Sequence, residues 1–203
     1  MKSVAELAAE IVTREGGFVN NASDPGGPTN FGVTLNTLRR LGLDVNRDTR
    51  IDVADVRKLT RSQAIDIYVE HYFTRTGVGA LPEVVQASVF DMYVNAGGNA
   101  VKVLQRLLAS MGFPCDPDGA IGAQTIRAAQ MAYEAAPSHL ADAYGIARRN
   151  YYYALGDARP ASRKYARRRD GGKGGWITRA EEFIAPKYHL TDAQHNARVA
   201  AWA

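Results

Sequence analysis

The chain has 203 residues, of which 46% are hydrophobic and 23% are charged, and its formal net charge is +4. This composition is typical of a folded globular protein, and the single cysteine, Cys115, excludes an internal disulfide. No segment stays apolar over the ~20 residues that a membrane span needs, and Glu6 and Glu10 interrupt any signal-peptide core. We therefore expect a protein made in the cytoplasm, without stable membrane insertion.

The first predicted helix ends in a carboxylate that is followed by two glycines. Ser3 and Glu6 fit a capping box, and apolar residues then recur at the helical period as far as Val12. The same stripe reaches Glu15, which the pattern places at the edge of the core. Partial burial raises the pKa of a carboxyl group, as a general acid requires near neutral pH. The alternative is that Glu15 is the exposed last residue of the helix, paired with a basic neighbour.

The next segment, residues 18–34, is dense in turn-forming residues and predicts an irregular loop with at most a short β-hairpin. Asp24 and Thr29 lie on this loop, shortly after Glu15. A half-buried acid beside an ionised carboxylate on a hydrated loop is the pair that hydrolysis of a glycosidic bond uses. Asp24 has an equally good structural interpretation, because the Asp of an Asp-Pro-Gly-Gly turn often caps its own backbone.

Helical patterns fill the rest of the chain. Helices are predicted after Thr34, near residues 53–59 and after the capping box Thr60–Gln63. The segment Glu83–Ala96 is apolar nearly all round and predicts a central buried helix, whose polar exceptions Asp91 and Asn95 share one face. Further helices are predicted from Asn99, at residues 124–135, 138–155 and 176–184, and after Thr191.

These patterns predict a mainly α fold with at most a small β-hairpin after the first helix. A weak boundary falls near Gly97–Asn99. We expect two lobes, residues 1–97 and 98–203, packed on each other rather than independent.

The loop after the first helix carries the most specific motif of the chain. Its blocks are Glu15–Asn20, Asp24–Gly27 and Thr29–Thr34. They closely resemble the signature of the glycosyl hydrolase 108 family, which comprises bacterial and phage N-acetylmuramidases and lysozyme-like secretion activators. The resemblance continues through the central helix and the less specific block Asp118–Thr125 to about residue 185.

The resemblance implies a lysozyme-like helical fold with a catalytic lobe, residues 1–97, and a peptidoglycan-binding lobe, residues 98–203. It implies that Glu15 is the catalytic acid of a muramidase that cuts between N-acetylmuramic acid and N-acetylglucosamine. The spacing of Glu15, Asp24 and Thr29 is similar to the catalytic triad of phage-type lysozymes.

Four further residues are candidates for substrate binding: Asp91, Asn95, Tyr72 and Trp176. The two polar side chains would hydrogen-bond N-acetyl and hydroxyl groups, and the two rings would stack on sugars. Two alternatives stay open. Buried polar residues often bond a neighbouring loop instead, and aromatic residues at helical spacing more often belong to the core.

The four histidines form no metal-ligating pattern, and we expect neither a metal nor a cofactor. Residues 148–179 hold ten basic residues against two acids, Asp157 and Asp170. This segment predicts a solvated face or a salt-dependent anchor to an anionic wall. A nucleic-acid site is disfavoured, because no groove-reading motif accompanies the charge.

We expect a monomeric, endolysin-like enzyme that degrades peptidoglycan for wall lysis or particle release, after a holin or a secretion system gives it access to the periplasm or wall. The alternative is a weakly active peptidoglycan-binding secretion or assembly factor. A glucosaminidase, a chitinase or a wall peptidase also stays open. So does the choice between retention and inversion, which depends on a carboxyl separation of about 5 Å or about 6.5–9.5 Å.

Overall fold

The computed structural model describes residues 3–20 and 27–202. The chain divides into two compact units, Met1–Arg75 and Thr76–Ala203, which are called the first and second unit below. Most of the regular structure is helical, and the described residues contain one two-stranded antiparallel sheet. The predicted mainly α fold with a small hairpin after the first helix is confirmed.

The first unit is built from short helices around the hairpin. Within its described residues it consists of α1 (Val4–Glu15), β1 (Thr29–Asn30), β2 (Val33–Thr34), α2 (Leu35–Leu41), α3 (Val53–Lys58), α4 (Arg61–Tyr68) and a π-helical turn (Val69–Thr74). The helices begin where the sequence places polar caps, because the side chains of Ser3, Thr34, Asp52 and Thr60 accept hydrogen bonds from first-turn N–H groups.

The core of the first unit lies where α1 packs on α4. The buried residues of α1 are Leu7, Ala8, Ile11 and Val12, and those of α4 are Ala64, Ile67 and Tyr68. Arg61 also ties the two helices together, since its Nη2 donates to the Ala9 carbonyl at 3.1 Å and to Thr13 Oγ1 at 2.9 Å. Beyond Thr13 the end of α1 projects past this core.

A fully buried carboxylate closes the long loop between α2 and α3. Asp55 accepts hydrogen bonds of 2.8–3.0 Å from three backbone N–H groups, those of Val45, Asn46 and Asp52. One carboxylate thus satisfies the backbone of both ends of the loop.

The second unit holds the longer helices. Within its described residues it consists of α5 (Glu83–Ala96), α6 (Asn99–Ser110), α7 (Ala123–Ala135), α8 (Leu140–Ala158), α9 (Arg163–Ala166), α10 (Gly175–Glu181) and α11 (Asp192–Val199), with 3₁₀ turns at Val78–Ala80, Pro160–Ser162, Pro186–Tyr188 and Ala200–Trp202. The helices predicted in this region are present, with small shifts of their ends. Helix α9 is present as well, but the sequence pattern does not predict it.

Helix α5 is the central helix of the second unit, as its all-round apolar sequence predicts. It packs against both α6 and α8, and its buried apolar residues are Val85, Val89, Phe90 and Met92. The buried hydroxyl of Tyr144 on α8 donates a hydrogen bond to the Ala100 carbonyl on α6 at 3.1 Å.

No helix in the described part of the chain is long and apolar enough to cross a membrane.

The block Asp118–Thr125 forms a tight turn that leads into α7. A glutamine of α6 holds this turn in place. Gln105 is buried, and its Nε2 donates to Asp118 Oδ1, to the Ala120 carbonyl and to Thr125 Oγ1 at 2.7–3.0 Å. Its Oε1 accepts from the Gly119 N–H at 2.9 Å. The block is therefore fixed by internal hydrogen bonds, which explains its residue types without a ligand.

Candidate active site

Glu15 is the last residue of α1, and the chain leaves the helix there through a glycine. Gly16 has φ 77° and ψ −171°, a region that is essentially restricted to glycine. A glycine that follows a helix often adopts the left-handed helical conformation, but the ψ of Gly16 is extended. The extended conformation directs the chain into the segment that pairs with the hairpin.

The hairpin folds back onto the end of α1 through backbone hydrogen bonds. Phe31 N–H donates to the Gly16 carbonyl at 2.9 Å. Val19 and Thr29 exchange two backbone hydrogen bonds of 2.8 and 2.9 Å, which form an antiparallel bridge. The residue after the candidate acid and the strand that carries Thr29 are thereby held in one local structure.

Gly32 is the point where the hairpin turn meets the Glu15 side chain. A Cβ atom on Gly32 would lie 2.7 Å from Glu15 Cγ and 2.4 Å from Tyr68 Oη, and no real Cβ tolerates such contacts. Glu15 Cγ and Tyr68 Oη are therefore no more than about 5 Å apart, because both lie so close to one point. The absence of a side chain at Gly32 leaves the space that both groups border.

A buried asparagine anchors the hairpin from its other side. Asn30 is 4% exposed, and its Nδ2 donates to the carbonyls of Val56 at 2.9 Å and Leu59 at 3.1 Å. Both carbonyls belong to the end of α3 or the residue after it. The hairpin is thus fixed to the body of the first unit and not only to α1.

The half-buried position expected of Glu15 is wrong. The residue is exposed, as are its neighbours Thr13, Arg14, Gly16 and Gly17, because the end of α1 extends beyond the core. Within the described residues the Glu15 carboxylate has no hydrogen-bond or ion-pair partner, so it is available to a ligand. Nowhere in the described chain do three His, Cys, Asp or Glu side chains converge to hold a metal ion.

Of the two candidate catalytic residues on the loop, Thr29 is among the described residues and Asp24 is not. Thr29 is half-buried on β1, and its hydroxyl donates a long hydrogen bond of 3.4 Å to the Val33 carbonyl. Asp24 lies outside the described residues, so its assignment as a catalytic partner stays a prediction.

Tyr72 belongs to the first unit, like Glu15 and Thr29. It is half-buried in the π-helical turn after α4, and its ring centroid lies 5.4 Å from that of Tyr68. Arg40 Nη2 donates to its hydroxyl at 3.4 Å. One chain of contacts therefore leads from Tyr72 through Tyr68 to the turn at Gly32.

Asp91 and Asn95 lie on α5, in the second unit. Asp91 is 3% exposed and binds two arginines: Arg148 Nη2 donates to its Oδ2 at 2.5 Å, and Arg179 Nη2 donates to its Oδ1 at 2.6 Å. Burial by itself lowers the pKa of Arg148, but the charge and hydrogen bond of Asp91 together with Tyr152 and Tyr144 outweigh it, and the net shift is upward. Asn95 is exposed and donates to the Asp91 carbonyl at 3.0 Å. The Asp91 carboxylate is thus bonded to side chains of α8 and α10, and its part in substrate binding stays a prediction.

Trp176, on α10, is stacked between tyrosines of the same unit. Its ring centroid lies 4.9 Å from that of Tyr152 and 4.8 Å from that of Tyr165, with interplanar angles of 23° and 30°. Its ring is therefore already engaged in aromatic contacts, although the residue is half-buried.

The sequence pattern predicts no role for Asn30, and Gly32 is distinguished in it only as part of the block Thr29–Thr34. The signal for Asn30 is a lone amide in a short strand otherwise suited to β structure, which suggests a side chain bonded to backbone. The contact of Gly32 with Glu15 and Tyr68 is tertiary and leaves no local pattern in the sequence.

Known families cover most of this chain in two consecutive matches. Residues 8–97 match Glycosyl hydrolase 108, and residues 99–181 match a "Predicted Peptidoglycan domain". The matches meet near residue 98, whereas the compact units divide after Arg75, so α5 belongs to the hydrolase match and to the second unit.

A solved structure supports the same relationship. The chain is similar to SagA of Brucella abortus, with 28% identity over 89% of this chain and 94% of that chain and a TM-score of 0.57. No curated protein matches the sequence.

Proposed function

We propose that this chain, which belongs to the glycosyl hydrolase 108 family and is a lysozyme-like peptidoglycan hydrolase, is an N-acetylmuramidase with Glu15 as its catalytic acid. The observation that carries the proposal is the contact between the Glu15 side chain and the hairpin turn at Gly32. This contact holds a carboxyl that has no hydrogen-bond or ion-pair partner among the described residues beside the hairpin turn.

In this proposal the Glu15 carboxyl protonates the glycosidic oxygen as the bond to the leaving sugar breaks. The exposed position of Glu15 lets a glycan strand approach it directly. Bound sugars would then exclude water from the carboxyl, so substrate would supply the enclosure that the helix end lacks.

Thr29 supports the reaction as a positioning residue for water. Its 3.4 Å bond to the Val33 carbonyl is weak enough for the hydroxyl to turn toward a ligand. Together with Asp24, for which we propose the role of water-directing or charge-stabilising carboxylate, it completes the set of catalytic groups.

Two residues are our candidates for contacts to the glycan. The Tyr72 ring is half-buried near the Glu15 site, and Asn95 is exposed with an amide oxygen that can accept a hydrogen bond. For Asp91 and Trp176 we propose indirect roles, since both side chains are held by neighbours within the second unit.

A Glu15→Gln variant tests the assignment of the acid. The amide has the same shape but cannot give up a proton, so release of muropeptides from purified peptidoglycan should fall by at least about 100-fold while the unfolding temperature stays unchanged. Glu10→Gln, on the same helix, is the matched control and should keep full activity. Equal muropeptide release by Glu15→Gln and wild type would reject Glu15 as the acid.

The products separate the remaining candidate activities. Mass spectrometry of borohydride-reduced products should show N-acetylmuramic acid at the new reducing end. N-acetylglucosamine there would make the enzyme a glucosaminidase. Binding to peptidoglycan without any product would favour the alternative of a secretion or assembly factor, which the peptidoglycan-domain match supports.

We also propose that the enzyme works as a monomer in the periplasm or wall and that a holin or a secretion system provides its access. The resemblance to phage lysins supports this route. Expression in a bacterial host should cause lysis only when a holin is co-expressed. Lysis by the chain alone would contradict the need for a partner.

A further inference from the structure

A polar pocket of about 440 Å³ lies on the second unit, between a turn and α11. The turn is closed by the antiparallel bridge Arg167–Lys173. The side chains that line the pocket include Arg168, Lys173, Thr178, Asp192, His195 and Asn196. No aliphatic side chain is among the lining residues, and the volume is within the usual range of small-molecule sites.

One wall of the pocket contains a buried histidine with an unused nitrogen. His195 is 1% exposed, and its Nδ1 lies 2.7 Å from the Tyr153 hydroxyl. Its Nε2 is buried and has no hydrogen-bond partner in the described chain. The Gly172 carbonyl, which accepts the Arg168 N–H at 2.8 Å, also faces the ring and raises the pKa of His195, but it does not meet hydrogen-bond geometry with Nε2. A buried polar atom without a partner is costly, so a ligand that satisfies Nε2 would bind favourably here.

The chemistry of the pair shows what kind of ligand Nε2 needs. Burial raises the pKa of Tyr153 to about 12, and burial also lowers the pKa of His195, so both groups are neutral at neutral pH. The Tyr153 proton has no acceptor in the described residues other than Nδ1. The phenol therefore donates to Nδ1, which leaves the proton of the imidazole on Nε2. Nε2 is a donor, and it requires an acceptor such as a carboxylate or carbonyl oxygen.

The charges around the pocket are balanced rather than uniformly basic. Arg168 pairs with Asp170 at 2.8 Å, and Lys173 pairs with the buried Glu181 at 2.5 Å. Asp192 is an exposed lining residue and has no ion-pair partner in the described chain. Such a mixture suits a ligand with both a negative and a positive group better than it suits a polyanion.

Gly172 allows one of these cations to lie along the pocket wall. A Cβ atom on Gly172 would lie 2.7 Å from Arg168 Nη2. The guanidinium therefore packs directly over the backbone of the turn. Most of the Arg168 side chain is exposed, so its remaining N–H groups can reach a ligand.

We propose that this pocket binds the peptide part of peptidoglycan. The bound part is a short peptide that carries carboxylate groups as well as a free amino group. The proposal rests on the peptidoglycan hydrolase function and assigns it a second subsite. In this subsite His195 Nε2 and Arg168 bind a carboxylate, and Asp192 binds the ammonium group. The sugar-cleaving centre in the first unit and the peptide subsite would then recognise different parts of one polymer.

The test is a titration of the full chain with the tripeptide L-alanyl-γ-D-glutamyl-meso-diaminopimelate, followed by calorimetry and by NMR of ¹⁵N-labelled histidine. We expect saturable binding with a shift of the His195 Nε2–H signal. Arg168→Gln should weaken binding by about ten-fold or more, since a charge-assisted hydrogen bond is lost. The matched control Arg169→Gln removes an equal charge next to the pocket and should bind within about two-fold of wild type.

The amino group is tested separately. Acetylation of the tripeptide amines should weaken binding to wild type, and Asp192→Asn should bind the free and the acetylated peptide equally. The proposal is overturned by a lack of saturable binding, by equal losses in both arginine variants, or by inorganic phosphate displacing the peptide with equal affinity.

The tripeptide contains no glycosidic bond, so this result does not depend on Glu15. Peptide binding that survives in Glu15→Gln supports the subsite even if the muramidase assignment fails. Normal muropeptide release without peptide binding would overturn the subsite alone.

Discussion

Glu15 is in van der Waals contact with Gly32, because the hairpin turn brings the glycine backbone against the Cβ and Cγ atoms of the glutamate. Gly32 also has φ 76°, a conformation that residues with a side chain rarely adopt. Two separate constraints, one steric and one conformational, thus fall on a single residue beside the candidate acid.

Gly32→Ala should therefore impair both stability and catalysis. The new methyl group would collide with Glu15 Cγ and Tyr68 Oη, and the positive φ adds strain, so we expect a loss of about 2 kcal/mol or more in the free energy of unfolding. Muropeptide release should fall even at temperatures where the variant is fully folded, since Glu15 must move.

Gly42→Ala is the matched control for this prediction. Gly42 also has a positive φ, 68°, but a Cβ atom there would meet nothing within 4 Å. It should lose only the conformational term, about 1 kcal/mol, and keep its activity. If the two variants were equally active when folded, the contact with Glu15 would have no catalytic role.

Asn30→Ala should misplace the hairpin without touching the acid. It removes the two hydrogen bonds to the carbonyls of Val56 and Leu59, and we expect a loss of about 1–3 kcal/mol in the free energy of unfolding. Activity should fall as well, because Thr29 precedes Asn30 on the same strand. Asn36→Ala, at an exposed position on α2, should change neither quantity in urea unfolding and muropeptide assays.

The local parts of this structure could be predicted from the sequence, whereas the tertiary contacts of the site could not. Capping boxes and apolar periodicity depend on residues a few positions apart, so the helix starts after Ser3 and Thr60 and the central helix α5 are readable. The exposure of Glu15 depends on where the core ends. Helical periodicity gives the direction of a side chain but not the extent of the surface that covers it.

The same difference between local patterns and tertiary contacts explains why the sequence left two roles open for Asp91. Its position one turn before Asn95, on the same face of an apolar helix, marks it as unusual, but the pattern cannot say whether its partner is a ligand or another side chain. The partners, Arg148 and Arg179, come from distant parts of the chain. Only the packing of α8 and α10 brings them to one carboxylate.

Asp55 should make stability depend on pH in the acid range. Burial by itself raises the pKa of Asp55, but the N–H groups of Asp52, Asn46 and Val45 outweigh it and hold the pKa below the ordinary value of 3.8. A lowered folded-state pKa contributes stability that is complete above the unfolded-state value and is lost as pH falls through the folded-state value. Asp55→Asn should therefore lose about 1–3 kcal/mol at neutral pH, and progressively less in acid.

Urea unfolding of both proteins across this pH range provides the measurement. Asp66→Asn, which removes an exposed carboxylate from α4, is the control and should follow wild type closely at every pH. A constant difference between Asp55→Asn and wild type down to the lowest pH would show that the Asp55 charge is not involved.

Asp91→Ala should be the most destabilising of these changes. It leaves the Arg148 guanidinium fully buried without its counterion, and Arg179 loses the same partner, so we expect a loss of about 3–5 kcal/mol. Asp91→Asn keeps the shape and one acceptor oxygen and should be less damaging. Because Asp91 stabilises the fold through its two arginines, the loss of muropeptide release should follow the fraction of unfolded protein. The KM of the folded fraction should stay at the wild-type value. An Asp91→Asn protein that unfolds like wild type but shows a raised KM would instead make Asp91 a glycan-binding residue.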